Sequence, residues 1–65
     1  KEIRVLRDKR YKLIRFGLRE PFAFELYDLS LDPFETNNLV SPGMSDLVQV
    51  AFRRLQTELK RLLAG

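Results

Sequence analysis

The 65-residue sequence has no cysteine and no histidine. The first absence removes disulfides and thiolate metal sites; the second removes the commonest metal ligand and general base. A serine nucleophile would then need a lysine or a metal as its activator, and no such spacing occurs. A free-standing enzyme is therefore not expected. The three glycines are isolated, so no glycine-rich phosphate loop or dinucleotide motif is present. No apolar run approaches the roughly 18 residues of a membrane span, and no signal-peptide core is visible. Internal repeats and low-complexity runs are lacking too.

What the chain does hold is a heavy apolar load, with five Phe, two Tyr and many Leu. A domain this short buries only about 60% of the surface of its unfolded chain. The balance of burial against chain entropy is close to zero at this size, which points to a docking partner. The first residue is Lys1, so the chain reads as processed or as a piece of something longer.

Charge is divided into blocks. Residues 1–20 carry eight Lys/Arg and three Asp/Glu, a block charge of +5. Residues 21–46 carry five acids and no base, and residues 47–65 carry four bases and one acid. A solvated set of strand faces beside an acidic turn accounts for this, and so does a basic patch for anionic esters or nucleic acid.

Alternation and turn residues predict three strands, at about 2–8, 11–16 and 23–29. Asp8-Lys9-Arg10 is short enough to join the first two as an antiparallel hairpin, without the glycine that would favour a primed turn. Gly17 ends the second strand, and Pro21 suits the approach to the third. Neither the second nor the third strand has a clean polar face. One helix can cover one side only, so Phe and Tyr rings are expected on the other, as a docking surface. The turn at Asp32-Pro33, with Thr36, Asn37 and Asn38 behind it, converts sheet into helix, with side chains bonding local backbone.

A helix is expected over about 42–63. Ser41-Pro42 offers one start and Ser45-Asp46 a later one, and Gly43 weakens the first. Leu47, Val48, Ala51, Phe52, Leu55, Leu59, Leu62 and Leu63 recur at helical steps, with Asp46 and Lys60/Arg61 suited to the dipole. Glu58 can pair with Arg54 or Arg61. The fold class is α+β, a small antiparallel sheet of three or four strands with one long C-terminal helix packed on one face. One domain spans residues 1–65.

Asp28, Asp32 and Glu35 are the only acid cluster. Their spacing differs from a calcium loop, and a structural turn is the expectation. The hairpin cations Arg7, Lys9, Arg10, Lys12 and Arg15, with Tyr11 and Phe16 between them, suit an anion, but the aromatic strand signature of common RNA modules is missing.

The order of residues adds a resemblance. Tyr11-Lys12-Leu13-Ile14 after a basic turn resembles a strand near the end of sulfatases. Glu25-Leu26-Tyr27-Asp28-Leu29, followed by Asp32-Pro33-x-Glu35-x-x-Asn38-Leu39, is similar to a longer run of the same enzymes. Lys9 and Phe34 stand where that family often has glycine or a small residue. The resemblance covers nearly the whole chain and implies the C-terminal subdomain of a sulfatase-like hydrolase. It also implies that formylglycine and calcium lie in a large N-terminal catalytic domain, the partner of this piece. Ser41-Pro42-Gly43 does not match the formylglycine motif, so no catalytic residue and no metal ligand is carried over.

Two functions follow as expectations. The first is a non-catalytic subdomain packing on the catalytic domain, with Arg10 and Lys12 as substrate-binding residues at the cleft rim. The alternative is an independent basic module for nucleic acid or other polyanions. Self-association through exposed sheet is a further expectation for the isolated piece.

Overall fold

The computed structural model describes residues 2–64. Strands β1 (Ile3–Arg7), β2 (Tyr11–Phe16) and β3 (Ala23–Asp28) form one antiparallel sheet in the order β1-β2-β3, followed by a single helix, α1 (Asp46–Ala64). This is the expected α+β fold with three strands.

Register assigns the faces. Leu6, Leu13 and Leu26 lie side by side across the three strands, and Leu13 and Leu26 are completely buried. With Tyr11 they form the sheet half of the core, and Ala51, Leu55 and Leu59 form the helix half. These three recur at four-residue steps, so one narrow line of α1 faces the sheet. Phe24 bridges the layers edge-to-face with Phe52, centroids 5.4 Å apart, and meets Phe22 at 6.4 Å. Each such ring pair adds about 0.5–1.5 kcal/mol beyond area burial.

The helix begins later than its earliest sequence signal. Ser41-Pro42 does not start it; Met44 N–H donates to Ser41 O at 3.3 Å in a separate turn. Glycine costs about 1 kcal/mol in a helix interior relative to alanine, and Gly43 would sit inside a helix starting at 42. Ser45 takes the cap instead, its Oγ accepting from Val48 N at 3.3 Å. Leu47, Leu62 and Leu63, expected on the packed stripe, are exposed at the helix ends. Leu47 lies off the line of Ala51, Leu55 and Leu59, while its neighbour Val48 packs against the core.

Two local devices shape the sheet. Gly17 closes β2 with φ at 126°, a region closed to residues with a Cβ, and a Cβ there would lie 3.3 Å from the Phe22 ring. On the outer side of β3, Asn38 Oδ1 accepts from Leu26 N at 3.0 Å, and Leu39 N–H donates to Leu26 O at 2.8 Å. That segment covers the β3 edge without becoming a fourth strand, which removes one site of strand addition.

Candidate functional site

The hairpin that carries the basic block is built on Asp8. Its Oδ1 accepts from Arg10 N at 2.8 Å and Tyr11 N at 2.7 Å, so a side chain supplies what the missing glycine would have eased. Its Oδ2 accepts from Arg54 Nη2 at 2.7 Å, tying the hairpin tip to α1. The Tyr11 N–H bond is the largest cause holding the Asp8 carboxyl at about 2, with Arg54 assisting.

Arg10 and Lys12 diverge from this hairpin, and each meets a carboxylate. Arg10 donates to Asp28 Oδ2 from Nε at 3.1 Å and from Nη2 at 2.9 Å. The other oxygen of Asp28 accepts from Ser30 N at 3.1 Å and Ser30 Oγ at 2.6 Å. Asp28 is buried, and the Arg10 contact is the main reason its carboxyl is lowered to about 2. Lys12 leaves on the opposite sheet face, where Nζ lies 3.1 and 3.0 Å from the two Glu35 oxygens. The backbone of Glu35 is left-handed, φ 57°, which returns its carboxylate to Lys12 and leaves Phe34 at the loop tip 87% exposed.

The acidic turn thus spends its three carboxylates separately. Asp28 takes Arg10, Glu35 takes Lys12, and Asp32 accepts from Thr36 N at 2.9 Å and Asn37 N at 2.9 Å. Those backbone donors hold the Asp32 carboxyl below its ordinary range. Among the described residues no three Asp or Glu side chains come together as a metal-binding group.

The sheet face away from α1 is graded along its length. At one end Arg7, Lys12 and Tyr27 are neighbours across the strands; at the other, Ile3 faces Phe16 and Ala23, with Val5 and Ile14 between. The wet tyrosine ring expected on this face is absent. Tyr27 is buried beside the Lys12–Glu35 pair, and its hydroxyl donates to Glu25 Oε1 at 2.6 Å. That bond is the main reason its pKa is pushed up to about 12. Aliphatic residues are exposed instead: Ile3 is 48% and Val5 51% accessible, and Ile14 and Phe16 are half-buried.

Against this geometry, the family model described as "N-sulphoglucosamine sulphohydrolase, C-terminal" matches residues 1–64. The chain belongs to that sulfatase C-terminal domain family. No curated protein and no solved structure matched it. As a C-terminal domain family, the sulphohydrolase family implies a parent chain with a catalytic N-terminal domain.

Arg15, grouped with the hairpin cations from sequence, has a setting of its own. Arg15 shares the inward face of β2 with Tyr11 and Leu13, and its guanidinium stacks on Phe22, 3.9 Å from the ring centroid. Its Nε is buried and has no hydrogen-bond partner. The alternation of β2 already placed a charge among core residues there, and that was the available signal.

Proposed function

We propose that the chain is a non-catalytic C-terminal subdomain of a sulphohydrolase, packing on the catalytic domain through the sheet face that α1 leaves open. The exposed row of Ile3 and Val5 with Ile14 and Phe16 beside it carries this reading. Contiguous apolar surface of that kind marks an interface, whereas scattered single residues do not. The catalytic aldehyde and the calcium ion belong to the larger domain, as does hydrolysis of the sulpho group or sulfate ester. Arg10 and Lys12 stand at the rim of that cleft, and their internal ion pairs orient the hairpin there. In this role they shape the rim first and touch an anionic substrate with the donors left over.

Incubating the purified chain with an aryl sulfate, with and without calcium, is expected to give no turnover above the buffer rate. Measurable hydrolysis would overturn the non-catalytic assignment. Binding to a generic oligonucleotide with a steep salt dependence would favour the polyanion module instead.

A further inference from the structure

Between the chain crossing that precedes β3 and the second half of α1 lies a groove of about 540 Å³, away from the open sheet face. Arg15, Phe22, Phe24, Gln56, Leu59 and Lys60 line it. Its volume falls within the roughly 300–1,000 Å³ of small-molecule pockets, and its make-up is theirs, apolar walls with a few converging polar groups.

The charges are what select an occupant. Neither Arg15 nor Lys60 forms a salt bridge among the described residues, whereas Arg4, Arg10, Lys12, Arg54 and Arg61 all do. Phe22 holds the Arg15 guanidinium by its face, which leaves the donor edge of the fork for a ligand. The Nε is buried and unpartnered, so a ligand in the groove meets the fork at its two terminal nitrogens. Glu20 also borders the groove, so Arg15, Lys60 and Glu20 together carry one net positive charge.

We infer that this groove binds a small hydrophobic monoanion, a carboxylate on an aromatic or branched-aliphatic body. The carboxylate pairs with the Arg15 fork within reach of Lys60, and the body lies against Phe24 and Leu59. A planar guanidinium suits a two-oxygen head, and a single net charge suits one anionic group. A dianion would meet Glu20 with no further cation to offset it.

Amide-resolved NMR titration of the 65-residue chain with 2-naphthoate, and separately with neutral 2-naphthamide, tests this. Naphthoate is expected to shift amides around Phe22, Phe24 and Gln56 saturably, and naphthamide to bind at least about tenfold more weakly, the worth of a charge-assisted hydrogen bond. Arg15→Gln should remove the preference for the anion. Lys60→Gln, at an exposed helix position that leaves the core alone, should weaken naphthoate several-fold. Equal binding of acid and amide, shifts confined to Ile3, Val5 and Phe16, or a Lys60→Gln chain that binds naphthoate unchanged would each overturn the inference.

Discussion

Asp28 accepts four hydrogen bonds through two oxygens, from Arg10 and from Ser30, at the point where β3 turns away from the sheet. Its own carbonyl then accepts from Asp32 N at 2.8 Å, so one residue terminates a strand and starts the acidic turn. Asp28→Asn removes the charge from those bonds and is expected to cost about 1.5–3 kcal/mol in chemical denaturation. The same carboxylate gives a pH dependence. Asp8 and Asp28 titrate at about 2 in the fold against 3.8 when unperturbed, so the unfolded chain takes up protons first as pH falls. Their stabilisation is complete above the unfolded value and is lost between about pH 4 and pH 2. Denaturation midpoints measured across that range should fall steeply for the native chain and less steeply for Asp28→Asn. Parallel curves would remove Asp28 from this role.

At the scale of elements, Leu55 and Ser45 separate packing from capping. Leu55, 2% exposed, fills the space between α1 and the Leu13–Leu26 pair, so Leu55→Ala should cost about 2–5 kcal/mol. Ser45→Ala removes one bond at the helix start and should cost about 0.5–2 kcal/mol, with helix content by circular dichroism reduced at its first turn. A near-neutral Ser45→Ala paired with a destabilising Ser41→Ala would restore the earlier start. The strands were legible because alternation in Tyr11-Lys12-Leu13-Ile14 and in Phe24-Glu25-Leu26-Tyr27 states which residues share a face. The helix was legible from its four-residue steps, and its start was ambiguous because two Ser signals stand four residues apart. The fate of Tyr27 was not legible. Tyr27 lies beside Lys12, whose partner Glu35 has a left-handed backbone and reaches it across 23 positions, which no local pattern encodes. For the same reason the hairpin cations read as one basic patch in sequence, while the fold turns Arg10 and Lys12 to opposite sides.

The whole molecule is a two-layer body whose sheet has one uncovered face. α1 covers one side of the sheet, the Asn38 segment covers the edge of β3, and the aliphatic end of the other side stays open. Size makes this arrangement costly for an independent domain and natural for a subdomain. The membership in a sulphohydrolase C-terminal family agrees with it, because that family implies a parent chain with a catalytic N-terminal domain. Sequence conveyed the apolar excess, and register was needed to gather Ile3, Val5, Ile14 and Phe16 into one surface. The most direct test is calorimetric titration of the purified catalytic domain of a family member with this chain and with its Val5→Lys/Ile14→Lys variant. The native chain should bind saturably and the variant at least about tenfold more weakly, as for loss of a central interface contact, while the free variant keeps its fold by circular dichroism. Equal binding of the two, or no saturable binding by the native chain, would contradict a docking role for the open face.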